Sequence, residues 1–167
     1  IATARAGNVI GGGDFAKNRI FPDIIKSIEK RRQCIIRNPS HTRPWQHVLD
    51  PVSGYLKLAE KLYKAKNNKF NSAWNFGPPN ENKSVQDIVN FIREKIPLKI
   101  NNNNNNRFNE SKYLNLNSSK SKKYLNWKRR LNFQQSIKIT LDWYLNSKKN
   151  KDNFAFTLKQ INEYFKK

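Results

Sequence analysis

Short apolar runs alternate with helical stripes along the chain. Ile1 to Ile10 reads as one buried strand that runs into Gly11-Gly12-Gly13. Over 20–32, Ile20, Ile24, Ile25 and Ile28 fall on one face with charges opposite, the period of an amphipathic helix. Pro22 sits near the start of that helix, where a missing N–H is tolerated. Cys34 to Arg37 predicts a short strand, Pro39 and Pro44 bracket a loop, and Trp45 to Leu49 reads as extended. Asp50-Pro51 predicts the next helix start, with Asp as N-cap and Pro at the first helical position. That helix runs to about Lys66 and is expected to bury Val52, Tyr55, Leu56, Ala59 and Leu62.

Ala73 to Phe76 predicts another strand, followed by a Gly77-Pro78-Pro79 loop. Ser84 and Asp87 have the spacing of a capping box ahead of a helix whose apolar face is Val85, Ile88, Val89 and Ile92. Asn101 to Asn106 reads as a surface loop of low complexity. Leu114 and Leu116 suggest a short strand, and 118–125 a short helix leading to Trp127. Helices are expected from Phe133 to about Ser147, carrying Ile137, Leu141 and Tyr144, and over 154–165. Strands alternating with helices argue for an α/β fold with a mostly parallel sheet. Gly11-Gly12-Gly13 lacks the G-x-G-x-x-G spacing of a dinucleotide loop, and Asp14 follows where a helix should open.

Composition changes this picture in three ways. With 33 Lys and Arg against 12 Asp and Glu, the formal net charge is +21, which raises a nucleic-acid-binding class. The basic residues are spread along every segment, however, and are not gathered with aromatics into one stripe. The joint richness in Lys, Asn, Ile, Phe and Tyr is what an A/T-rich coding sequence would impose. One cysteine, Cys34, excludes an internal disulfide and reads as a small buried hydrophobe. No apolar run reaches membrane-span length, and no signal peptide is visible. The chain of 167 residues contains no Met, so Ile1 reads as an internal position of a longer protein.

Two segments carry candidate chemistry. In the stretch from Arg5 to Asp14, Asn8 sits at a strand end before three glycines, and ligands of α/β sheets bind at strand carboxyl ends. Its amide can donate to a phosphate or sugar oxygen, or form an Asx-turn that only shapes the loop. In 36–48, Arg37, Arg43, Trp45, Gln46, His41 and His47 crowd a Pro-stiffened loop. Arginines suit a diphosphate and an indole suits a base or sugar face, although both arginines could be surface charges. His47 reads as a structural histidine more readily than as a catalyst. Trp74 reads as core, whereas Asn75 repeats the strand-end setting of Asn8. Glu110 is a carboxylate in a candidate binding loop. No nucleophile triad or zinc-ligand spacing is present.

RAGNVIGGGD at 5–14, FPDII at 21–25, IIRNP at 35–39, RPWQHVLDPVSGYLKLAEKLY at 43–63 and WNFGP at 74–78 resemble the CDP-glucose 4,6-dehydratase branch of the extended short-chain dehydrogenase/reductase family. Weaker similarity runs through ESKYL at 110–114, SKSKKYLNW at 119–127 and LDWY at 141–144. The resemblance implies the C-terminal part of a Rossmann-type parallel sheet plus the smaller substrate-binding lobe over 1–145. A helical basic tail over 146–167 stays unassigned. It implies Asn8, Arg37, Arg43, Trp45, Asn75, Arg107 and Glu110 around the sugar nucleotide, and the backbone of Ala6 and Gly7 beside the nicotinamide of NAD. The stretch before Glu110 departs from the His-rich form of that branch. The implied reaction oxidises C4 of CDP-glucose, eliminates water across C5 and C6, and returns the hydride to C6. No Tyr-x-x-x-Lys stands in the setting of that family's catalytic pair, so no catalytic residue is assigned here and the chain alone is expected to be inactive. A cytoplasmic homo-oligomer acting in deoxysugar synthesis is the corresponding expectation. Another NAD-dependent epimerase or dehydratase is the alternative within the family, and a basic nucleic-acid-binding protein the alternative outside it.

Overall fold

A computed structural model describes residues 1–79, 81, 83–102, 111–149 and 152–166. The element order is β1 (Thr3–Ala6), β2 (Asn8–Ile10), α1 (Ile20–Glu29), β3 (Cys34–Ile36), β4 (Trp45–His47), α2 (Leu49–Lys64), a single 3-10 turn (Asn68–Phe70), β5 (Ala73–Phe76), α3 (Val85–Arg93), β6 (Ile100–Asn102), α4 (Ser119–Leu125), α5 (Phe133–Lys149) and α6 (Asn153–Lys166). The strands form three parallel pairs, β1 with β5, β2 with β4 and β3 with β6. The expected α/β class with parallel strands is thus present.

The single strand expected over the first ten residues is instead two, β1 and β2, on different partners. Gly7 marks the break. A Cβ there would come within 2.6 Å of the Pro44 carbonyl oxygen, so only glycine lets the chain cross β4 so closely. Each of the two strands pairs on one edge with a strand downstream in this chain, and Thr3, Ala4 and Arg5 are exposed rather than buried.

α1 buries Phe21, Pro22, Ile24 and Ile25 against β3, as its period requires. They join Ile36, Trp45, Ile88, Ile92, Ile137 and Leu141 in the larger core. The smaller core gathers Leu58, Trp74, Phe76, Leu125 and Trp127 between α2, β5 and α4. α3 begins with a reciprocal capping box. Ser84 Oγ accepts from the Asp87 N–H at 3.1 Å, and the Asp87 carboxylate accepts from the Ser84 N–H at 2.7 Å. Cys34 is buried in the larger core, and burial pushes its thiol pKa up.

Two expectations about α2 are corrected. Asp50 is not its N-cap. The helix begins at Leu49, and the Asp50 side chain turns away into the interior. The buried face is different in part, since Tyr55 and Leu62 pack half-buried on the smaller core as expected. Pro51, Ser53, Gly54 and Leu58 point inward, whereas Val52 and Leu56 are 39% and 61% exposed and Ala59 is exposed. The reason is Gly54, which lets the Phe76 ring press on the helix backbone; a Cβ would sit 2.3 Å from Phe76 Cδ1. Two smaller readings also change. Leu114 and Leu116 form no strand, and only Tyr113 bridges to Thr42. The Asn run starts as the end of β6, and its remainder lies outside the described residues.

Gly54→Ala is expected to cost roughly 1–3 kcal/mol by overpacking. Leu56→Ser, on the open face, should change stability by less than about 0.5 kcal/mol. Urea unfolding of the two variants distinguishes this helix orientation from the one the period alone suggested.

Candidate functional site

A cavity of about 610 Å³ opens where the carboxyl ends of β2 and β3 meet the start of α1. Its strand-derived wall comes from Gly7, Asn8, Ile10, Ile36 and Trp45. The opposite wall is the first turn of α1, whose N-cap Arg19 makes no side-chain cap. The leading N–H groups of a helix and its dipole favour an anion at such an end.

Three arginines border the cavity. Arg43 Nη1 donates to the Thr42 carbonyl at 2.9 Å and the Ser111 carbonyl at 2.8 Å, tying the loop at 111–112 against Thr42. Its Nη2 lies 3.3 Å from His41 Nδ1. Guanidinium can only donate, so that imidazole nitrogen is the acceptor. Arg37 Nη2 donates to the Asn18 carbonyl at 3.3 Å, and Arg19 lies 3.7 Å from Asp14. Asp14 and Asp23 bring two carboxylates to the same rim. Burial raises the Asp23 carboxyl above its usual range, with Arg37 pulling the other way.

The expected site residues divide accordingly. Asn8, Gly7, Arg37, Arg43 and Trp45 line one cavity. Trp45 is buried and its indole N–H donates to the Lys83 carbonyl at 3.2 Å. Asn75 does not line the cavity; its amide donates to the Asn117 carbonyl at 3.1 Å. Ala6 ends β1 beside Gly7 and is not part of the wall. Arg107 and Glu110 lie outside the described residues. Sequence reasoning missed Asn18 and Arg19, which sit at the same rim, while His41, one of the polar residues of the 36–48 loop, joins them there. The signal available was polar residues stacked immediately before the apolar stripe of α1.

His47 is buried in β4, where its Nδ1 accepts from the Leu49 N–H at 3.3 Å. Burial lowers its pKa to about 4, the behaviour of a neutral structural histidine. Two Tyr-x-x-x-Lys spacings occur, at Tyr124/Lys128 and Tyr144/Lys148. Tyr144 donates to the Asp14 carbonyl, while Lys148 lies 3.6 Å from Glu29. Burial, aided by Asp14, pushes Tyr144 up to about 12, opposite to what a phenolate base requires. Tyr124 is exposed on α4, with Lys123 over its ring. Neither pair is built to take a proton.

Over 170 residues the chain is 38% identical to the CDP-glucose 4,6-dehydratase of Salmonella typhimurium strain LT2, a match taking in 98% of this chain and 46% of that protein. The chain thus spans about half the length of the curated relative it matches. Among solved structures, the dTDP-glucose 4,6-dehydratase of Bacillus anthracis in complex with NAD superposes with a TM-score of 0.71 at 19% identity, over 89% of this chain and 45% of that one. The UDP-glucuronic acid 4-epimerase of Bacillus cereus, in complex with UDP-glucuronic acid and NAD, gives 0.68 at 16% identity, over 86% and 45%. The chain has the Rossmann-type fold of the sugar-nucleotide dehydratases and epimerases. No family model matches it. The resemblance to CDP-glucose 4,6-dehydratase is borne out by the Salmonella relative. No helix among the described residues is long and apolar enough to cross a membrane.

His47 yields a pH prediction. Its folded pKa lies below the unfolded value, so the unfolded chain binds more protons between about 6.5 and about 4. Stability should therefore fall as pH drops through that window, by at most about 3 kcal/mol. Asp50, whose carboxyl is raised by burial, acts in the opposite sense. Comparing unfolding of the parent and His47→Asn from pH 7 to 4 isolates the histidine. The variant should show a shallower decline.

Proposed function

We propose that this chain is the sugar-nucleotide-binding part of an NAD-dependent CDP-glucose 4,6-dehydratase. The observation that carries the reading is the cavity itself. An uncapped helix N-terminus and three arginines converge on a space of about 610 Å³, large enough for a nucleoside diphosphate sugar. Similarity to the Salmonella CDP-glucose 4,6-dehydratase supports CDP-glucose as the ligand. On this reading Arg19, Arg37 and the α1 N-terminus meet the diphosphate. Arg43 holds the loop at 111–112 that closes one side, and Asn8 donates to a phosphate or sugar oxygen. Asn75 supports the lobe through Asn117, and Arg107 and Glu110 remain candidate ligand-binding residues by resemblance.

NAD, when bound, supplies hydride acceptance and return at the sugar. This chain offers it only bare backbone at Ala6 and Gly7. Gly7 at the cavity edge carries no side chain, and the close Pro44 carbonyl keeps it so. The dinucleotide-binding and proton-transfer groups lie on a body that this chain does not contain. Support comes from β1, paired on one edge with β5 while Thr3, Ala4 and Arg5 are exposed, and from the open stripe Val52, Leu56 and Tyr63 on α2. Parallel strands are normally covered on both faces. The complete enzyme is then cytoplasmic and homo-oligomeric, and the chain alone has no turnover.

Calorimetry with CDP-glucose tests the reading. Binding is expected, weaker for UDP-glucose, and Arg37→Ala should weaken it about tenfold, the loss of roughly one charge-assisted contact. No 4-keto sugar should accumulate even with added NAD. If the protein instead takes up duplex DNA, with an affinity that collapses between low and physiological salt, a nucleic-acid-binding role replaces this one.

A further inference from the structure

We infer that the C-terminal helix α6 is a positioning element for the cavity, acting through Tyr164 and Thr157. The inference rests on the reading of the cavity given above.

The face that α6 turns inward mixes apolar packing, with Phe156 against the larger core, and hydrogen-bonding groups. Gln160 and Tyr164 are its buried residues, while Phe154, Leu158 and Phe165 are exposed. Thr157, Gln160 and Tyr164 follow one another on a single helical face, and each makes a directed hydrogen bond to another element. A helix that served only to cover apolar surface would need no such hydrogen bonds. Hydrogen bonds instead fix where and how a helix sits.

The first connection runs through Asp50. Its carboxylate is fully buried, at the start of α2 and three residues beyond β4, the strand that carries Trp45 into the cavity wall. Tyr164 donates to Asp50 Oδ1 at 2.8 Å, and the Arg130 N–H donates to the same oxygen at 2.9 Å. Tyr164 also lies 3.2 Å from Ser53 Oγ. Arg130 returns to α6, donating to the carbonyls of Tyr164 at 3.1 Å and Phe165 at 3.2 Å. A buried carboxylate keeps its place only while its donors stay in place.

The second connection runs through Trp143 on α5. Thr157 Oγ1 lies 2.9 Å from Trp143 Nε1, fixing the turn of the indole. That indole lies flat on Gly12, where a Cβ would come within 2.0 Å of Trp143 Cγ. Gly12 stands between Gly11 and Asp14, both of which line the cavity, and Tyr144 holds the Asp14 carbonyl from the next position on α5. α6 therefore holds the segment that follows β4, whose first residue Trp45 lines the cavity, and the glycine turn after β2, and touches the wall itself at neither.

Tyr164→Phe and Thr157→Val keep side-chain volume and remove one connection each. CDP-glucose affinity is measured by calorimetry, and hydrogen–deuterium exchange is followed along the chain. Each variant should lose roughly tenfold in affinity, the scale of sub-ångström misplacement of binding groups. Exchange should rise at 44–50 for Tyr164→Phe and at 8–14 for Thr157→Val, with 24–29 of α1 unchanged. Leu158→Ser, on the open face, should leave both readouts unaltered. Unchanged affinity and exchange confined to α6 would reduce the helix to a cover, and a uniform rise along the chain would make its role general stability. If the parent protein binds no CDP-glucose, the reading of the cavity fails, while the exchange pattern still decides whether α6 holds the two strand ends.

Discussion

Asp50 is a carboxylate with no access to water, and much of the architecture follows from how its Oδ1 is satisfied while Oδ2 is left without a donor. Leaving such a group without donors costs more than almost any single packing defect. Its donors come from Arg130 and Tyr164, separated from it by 80 and 114 residues. Its own main-chain carbonyl accepts from the Trp127 indole N–H at 3.0 Å. Trp127 in turn meets Phe76 edge-on in the smaller core. One residue thus joins the start of α2, the segment after α4 and the end of α6. The helix N-terminus at which it lies favours the charged form, while burial opposes it and raises the carboxyl pKa. Tyr164, desolvated in the same place, is pushed up as well and stays a donor.

The cavity applies the same electrostatic logic at its rim. Three arginines stand there beside two carboxylates, Asp14 and Asp23. Arg43 is bound to backbone carbonyls, Arg37 to the Asn18 carbonyl, and Arg19 is near Asp14. These contacts place cationic groups and two carboxylates around a helix N-terminus, the arrangement on which the proposed sugar-nucleotide reading rests. Many other basic residues are scattered over exposed helix faces, as Lys57, Lys61 and Lys64 are on α2. The chain's net charge of +21 and the charge of its site are therefore separate matters.

The open face of α2 and the exposed β1 belong together. Pro51, Ser53, Gly54 and Leu58 close the smaller core, which leaves Val52, Leu56 and Tyr63 outward beside a strand whose residues are uncovered. A match over about half of the relative and about half of the solved structures is consistent with a surface that meets another body. The proposed division of labour, ligand contacts here and hydride chemistry elsewhere, needs such a surface.

Local patterns determined most elements. The stripes of α1, α3 and α5, the Ser84/Asp87 box and the alternation of strand and helix were legible because each depends on neighbours three or four residues away. The clustering of Arg37, Arg43 and Trp45 with Asn8 was legible too, through resemblance in the RPWQHV and GNVIGGG segments. Tertiary contacts decided the rest. α2 carries two apolar stripes, and only the approach of Phe76 to Gly54 selects which one is buried. Gly7 breaks one apparent strand into two because Pro44 lies against it. Asp50 has the sequence setting of an N-cap, yet donors from the far end of the chain draw it inward. Asn75 shares the strand-end setting of Asn8 but is turned to Asn117. The tail over 146–167 gave a helix and no role, because its role depends on hydrogen bonds to Trp143 and Asp50 that no local pattern encodes. Periodicity records which residues avoid water, whereas the choice between equally apolar faces, and the partner of a buried charge, depends on segments that meet only in the folded chain.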